Sequence, residues 1–252
     1  MDYVVPDYIY TCATEGGVVV LDARRGKYSM VPSDRARSLQ GVVQGWPALP
    51  LVEALPLVEV VAGHQTAPSS SLLHSLVEGG MVMPVADARS RVGQRGVVST
   101  GAAVSLAREA LLDAMAAREK PWIGWWDVVT FFRAVTYATV MLKCRPFEAM
   151  LLNFRRRKEC GAAGAVTGSI AQIRECLRIF CWLRPFAYAE SDACLFDSVA
   201  LMDFLFRRGV LADFFIGVRI RPFVAHSWVQ AQGFALNGLP EYLAAYTPIL
   251  SV

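Results

Sequence analysis

The sequence predicts an α+β chain of two domains, and three observations predict it. Strand-like apolar runs crowd the first 31 residues and give way to helical patterns. Near the C-terminus an amphipathic helix is followed by strand-like runs rich in β-branched and aromatic residues. Between them, residues 84–99 are polar, with three arginines and two glycines. The expected boundaries are 1–85 for the first domain, 86–99 for a linker and 100–252 for the second.

Composition narrows the class. Hydrophobic residues make up 54% and charged residues 19%, enough apolar material for sizeable cores. The net charge of +3 is spread over interleaved acids and bases, too mild a balance to argue for nucleic acid. The six cysteines are irregularly spaced with no Cys-x-x-Cys, which argues against a zinc site or a disulfide framework and fits a reducing cytosol. The start, Met1-Asp2-Tyr3-Val4-Val5-Pro6-Asp7, lacks the basic n-region of a secretory signal. No Gly-rich phosphate loop or metal-ligand cluster is visible, so neither a cofactor nor a metal is expected.

In the first domain Tyr8–Cys12, Gly17–Asp22 and Lys27–Val31 are expected strands, with Gly26 supplying positive φ to the Ala23–Gly26 turn. Ser33 or Asp34 is expected to cap a helix running through Leu39, Val42 and Val43. A proline-punctuated piece follows, then a helix over 69–78 with Leu72, Leu73, Leu76 and Val77 on its apolar side. Met81–Met83 is an expected wing strand. Three strands with three helices outline a small winged-helix-like domain. The last of these helices has no Lys or Arg, which discounts DNA.

In the second domain a helix is expected over Thr100–Lys120. Pro121–Lys143 is the most apolar stretch, with Trp122, Trp125 and Trp126 at its start. Asp127 and Arg133 interrupt it, which favours a core helix over a membrane span. Arg155–Lys158 reads as a solvated helix end and Gly161–Gly164 as a joint. A further helix is expected over Ser169–Leu183.

The stretch from Cys194 to Gly238 carries the chemistry. Leu195, Val199, Met202 and Leu205 mark an amphipathic helix, with Ser191 or Asp192 as N-cap and Gly209 as C-cap. Cys194 falls in its first turn, where free N–H groups and the helix dipole favour a thiolate. Phe214–Ile220, Ala225–Gln230 and Phe234–Asn237 are expected strands, and His226 begins the second. A cysteine at a helix start and a histidine on a nearby strand are the pair needed for thiolate attack on an acyl carbon.

The run Cys-Leu-Phe-Asp-Ser…Gly-Val-Arg…Pro-Phe-Val-Ala-His-Ser-Trp-Val-Gln…Leu-Asn…Tyr-Thr-Pro-Ile-Leu resembles the C-terminal half of lasso-peptide leader peptidases, the B proteins of that biosynthesis. The resemblance implies a papain/transglutaminase-like cysteine-protease domain, with Cys194 as nucleophile and His226 as general base. It further implies a precursor peptide bound by its leader, and an ATP-dependent macrolactam synthetase as partner. Relatives carry Asn-Asp on the third strand, the aspartate orienting the histidine; here Asn237-Gly238 stands instead. Asn237 is the candidate replacement, provided that a bulge or turn brings it round. Asp192, Asp197 and Asp213 are weaker substitutes, and Gly238 is a candidate for positive φ. The same core also runs acyl transfer to amines, and without its acid could persist as a scaffold.

Gly17-Val-Val-Val-Leu-Asp22 with Arg24, Gly26 and Tyr28 resembles the precursor-peptide recognition element of peptide-modifying enzymes. That resemblance implies a leader peptide added as a strand beside Lys27, Tyr28, Ser29, Met30 and Val31, against Leu73 and Val77. Otherwise Tyr28 and Met30 are core residues of a stabilising subdomain.

Overall fold

The N-terminal apolar runs, rich in β-branched residues, pair with one another as successive strands. A computed structural model describes residues 3–49, 70–88, 109–110, 121–163, 168–188 and 194–252. The chain divides into two units, Met1–Ala102 and Ala103–Val252.

In the first unit β1 (Tyr3–Val4) precedes an antiparallel meander of β2 (Ile9–Thr14), β3 (Gly17–Asp22) and β4 (Lys27–Pro32). The central strand β3 is buried at Val18, Val19, Val20 and Leu21. Gly17 opens it at φ 138°, and a Cβ there would lie 2.2 Å from the Val31 carbonyl oxygen, so only glycine fits. Gly26 takes φ 62° in the turn before β4. Among the described residues β4 is an edge strand, paired only with β3.

Helix α1 (Ser33–Leu39) is shorter than expected, and neither Ser33 nor Asp34 caps it; the N-cap is Pro32. Gly41 turns the chain at φ 78°, and Val43 enters β5 (Val43–Gln44), parallel to β1. Burial of the β-branched Val43 in that ladder overrides the helical spacing. α2 (Ser70–Glu78) lies where expected. The wing strand is displaced by two residues to β6 (Met83–Pro84), antiparallel to β1, and Val85–Ala88 forms a helical turn, α3. The core gathers Val18, Val20, Val31, Ala36, Leu39 and Leu76. Met30 is exposed and not a core residue. The proline-punctuated piece and residues 89–99 lie outside the described residues.

The second unit corrects the helix expected over Thr100–Lys120, because Glu109–Ala110 form β7; the rest of that range is outside the described residues. α4 (Trp125–Cys144) buries Asp127, Phe131, Ala134 and Ala138, a stripe spaced by three and four. Its aromatic start is not core: Trp122, Trp125 and Trp126 are 85%, 64% and 62% exposed. Asp127 accepts from the Gly124 N–H at 2.9 Å and pairs with Arg208. Among the described residues no helix is long and apolar enough to cross a membrane.

α5 (Phe147–Ala163) contains the basic run, which is not a solvated end. Arg157 pairs with Asp203 and Lys158 with Asp213. Gly161 continues this helix rather than forming a joint. α6 (Ile170–Leu183) is capped by Ser169, whose hydroxyl accepts from the Gln172 N–H.

α7 (Cys194–Arg207) is buried continuously from Asp197 to Leu205, with Gly209 turning the chain at φ 73° as its C-cap. It packs on α4, α6 and β9. The sheet beside it has the order β11-β8-β9-β10-β7: β8 is Asp213–Arg219, β9 Val224–Ala231, β10 Phe234–Ala235 and β11 Thr247–Ser251. α8 (Pro240–Leu243) precedes β11, which pairs antiparallel to β8. Gln232 and Gly233, at φ 49° and 82°, make the tight turn between β9 and β10.

Asp203 is fully buried in α7 and held by Arg157 and Arg207. Removing the carboxylate strands two guanidinium groups against an apolar helix. Asp203→Ala is expected to destabilise the fold by about 3–5 kcal/mol in urea unfolding. Wild-type stability in that variant would show that the ion pairs contribute nothing.

Candidate active site

Cys194 is the first residue of α7, half-buried, and the proposed caps Ser191 and Asp192 lie outside the described residues. His226 is the third residue of β9, directly opposite Gly217 on β8. The helix start and the strand meet, so that the Cys194 thiol shares a hydrogen bond with the His226 imidazole. That bond is the largest influence lowering the thiol pKa to about 7; burial opposes it, and the Ser227 backbone N–H and the imidazole charge assist. The buried Nε2 of His226 has no hydrogen-bonding protein partner among the described residues. Burial instead pushes the Cys12 thiol up to about 12 and raises that of Cys176. Cys12 and Cys176 are buried and behave as small core hydrophobes.

Asn237 does not orient the histidine by a hydrogen bond. The third strand ends at Ala235, and the Asn237 amide binds elsewhere. Its Oδ1 accepts from the Val229 N–H at 2.8 Å, and its Nδ2 donates to Asp197 Oδ2 and Ser198 Oγ, both at 3.0 Å. The side chain is a clamp between the first turn of α7 and the middle of β9. Ser198 adds a second tie, donating to the Ser227 carbonyl at 3.0 Å.

The weaker acidic substitutes are also engaged. Asp197 accepts from Tyr188 Oη at 2.9 Å and pairs with Arg184 at 3.4 Å, while Asp213 pairs with Lys158. Asp192 lies outside the described residues. Among the described residues no carboxylate hydrogen-bonds His226. Gly238 is not at positive φ; a Cβ there would lie 3.0 Å from Leu243 Cδ2, so the position faces a buried leucine.

Aromatic rings that the sequence reading did not connect to the histidine surround it instead. Trp228 stacks beside it at 6.3 Å between centroids and 15° between planes. Tyr242 meets it edge-to-face at 5.3 Å and 88°, and Tyr246 lies at 5.3 Å and 36°. The two phenols share a 2.6 Å hydrogen bond. Gly217 makes room for this wall: a Cβ there would sit 2.9 Å from two Trp228 ring carbons and from Tyr246 Cβ. The period-two spacing of 226 and 228 on one strand was the available signal for Trp228.

The positions expected from the sequence to contact a leader fall in the first unit. Lys27, Tyr28, Ser29, Met30 and Val31 lie on the edge strand β4, with Lys27 and Met30 exposed and Val31 buried. Leu73 and Val77 are half-buried on α2, and Leu73 packs against the core.

A helix that starts with cysteine and packs across a strand bearing histidine belongs to a known class of domain. Residues 136–251 match the family model described as the transglutaminase-like superfamily, and Cys194, His226 and the aromatic wall all lie inside that span. This C-terminal part is thus a transglutaminase-like domain, of a fold that serves cysteine peptidases and acyltransferases. No curated protein and no solved structure matches the chain.

The clamp makes a stability prediction. Asn237→Ala leaves the Val229 N–H without its acceptor and Asp197 short of a donor, and is expected to cost on the order of 3 kcal/mol in chemical denaturation. A variant as stable as wild type would show that the amide does not hold α7 to β9.

Proposed function

We propose that this protein is a two-domain cysteine peptidase that binds a ribosomally made precursor peptide by its leader and hydrolyses the leader–core bond, as the lasso-peptide leader peptidases it resembles do. The observation that carries this reading is the hydrogen bond between Cys194 and His226, which brings the thiol into range of neutral pH. The transglutaminase-like domain around the pair supports it.

In the reaction Cys194 thiolate attacks the carbonyl of the last leader residue. The oxyanion that forms is met by a backbone N–H at the start of α7, that of Cys194 being the nearest by sequence. The His226 imidazolium protonates the departing amine of the core peptide, leaving a thioester on the leader. Neutral His226 then takes a proton from water, whose attack frees the leader carboxylate and restores the thiol. This chemistry needs no metal and no organic cofactor.

Recognition is assigned to the first unit. Among the described residues β4 pairs only with β3, and that edge position supports a leader docked as an added strand. The core peptide then passes to an ATP-dependent macrolactam synthetase, and both partners share a reducing cytoplasm. That no carboxylate among the described residues hydrogen-bonds His226 favours a second reading, a leader-binding scaffold without chemistry. Acyl transfer to an amine would proceed through the same thioester, and product mass separates it from hydrolysis.

With purified protein and a synthetic lasso-type precursor, Cys194→Ala is expected to abolish leader removal while retaining leader binding and the wild-type Tm. Cleavage by the variant at a comparable rate would overturn the assignment of the nucleophile, and an inactive wild type would favour the scaffold. The pH dependence has a fixed sign. A thiol lowered to about 7 loses its thiolate as pH falls through 7, so kcat/KM is expected to decline about tenfold per unit below that point. A flat profile from pH 5 to 8 would contradict a titrating Cys194.

A further inference from the structure

Among the described residues no carboxylate hydrogen-bonds the His226 ring, and its neighbours are aromatic. Its Nε2 is buried and unmatched by any hydrogen-bonding atom among the described residues, yet transfer of the thiol proton to the ring makes it a cation. The thiolate balances that charge on one side, but the buried Nε2 side is left without an acceptor, which is costly. What faces the ring is aromatic: Tyr242 edge-to-face, Tyr246 tilted and Trp228 stacked. Aromatic faces attract cations through their quadrupole, and ring N–H groups donate weakly to them.

We propose that the hydrogen-bonded Tyr242–Tyr246 pair positions the His226 imidazole and stabilises its cationic form, in the role usually filled by a carboxylate. Both tyrosines are positioning residues that act on the thiol through His226. The 2.6 Å bond between the phenols sets the two rings as one unit, and Tyr246 is anchored by burial at the start of β11. Gly217 leaves the space that lets Tyr246 and Trp228 close on the ring's strand.

Among the described residues the charged and titratable groups around the ring are few. Cys194 comes from α7, Tyr242 from α8, Tyr246 from the approach to β11 and Arg219 from the end of β8. The Arg219 guanidinium lies 5.6 Å from the Tyr246 ring centroid and so draws on the same aromatic face. Asp197, on the first turn of α7, is engaged by Tyr188, Arg184 and Asn237. Burial and the bond to Tyr242 push Tyr246 up to about 12, so it stays protonated while the thiol titrates.

The proposal rests on the Cys194–His226 pair but not on any peptide substrate, and its test needs none. Tyr242 is 47% exposed, which makes it replaceable without emptying the core. The rate of Cys194 alkylation by iodoacetamide is measured against pH in the full-length protein, with the Cys194→Ala signal subtracted. Tyr242→Phe keeps the aromatic face and loses only the phenol bond, so it should raise the thiol midpoint less than Tyr242→Leu, which keeps apolar bulk alone and should raise it by roughly half a unit to one and a half units. Equal midpoints for Leu and wild type would make the tyrosine merely structural, and an equal rise for Phe and Leu would assign the effect to the hydroxyl; either overturns the proposal. A wild-type thiol that titrates in the ordinary range would instead remove the Cys–His pair itself.

Discussion

The second unit depends on how one buried helix is fastened to one strand. α7 is buried continuously from Asp197 to Leu205, and its first turn is fixed by polar contacts as well as by packing. The Asn237 amide and the Ser198 hydroxyl join the first turn of α7 to Val229 and Ser227 of β9. A shift of one residue along β9 would break these bonds and turn His226 to the opposite face. Thus a hydrogen-bonded side chain beyond the strand end sets the register on which the thiol–imidazole contact relies.

The electrostatics of the pair follow from that placement. The imidazole bond, the Ser227 N–H and the imidazole charge lower the thiol against the penalty of half-burial. Position, not residue type, separates Cys194 from Cys12, which has a similar thiol but only apolar surroundings and is pushed the other way. On the far side of the imidazole the surroundings are aromatic. Such a wall is less selective for charge than a carboxylate, and it suits a pair whose ionised and neutral forms lie close in free energy near neutral pH.

Much of this was legible in local patterns. The three-and-four spacing of α7, its Gly209 cap and the β-branched runs of β8 and β9 each state their element within a short window, and so does the hairpin around Gly26. Elements defined by distant partners were not legible. Glu109–Ala110 lies in an alanine-rich run that reads as helix, yet it pairs with β10, some 125 residues along the chain. β11 carries Pro248, which discourages a strand reading; as the outer strand of its sheet it tolerates a missing donor. Asn237 was visible as a residue of interest, but its partners on α7 and β9 were not. Tyr242 and Tyr246 come from α8 and the approach to β11, and nothing in local spacing ties them to His226.

The central claim is that His226 activates Cys194, and the thiol itself reports on it. The midpoint of Cys194 thiolate formation, followed by absorbance near 240 nm against a Cys194→Ala blank, can be compared between wild type and His226→Ala. The account predicts a midpoint of about 7 in wild type and a rise toward the ordinary thiol range, about 8.5, without the imidazole. A midpoint unchanged by loss of the histidine would contradict it.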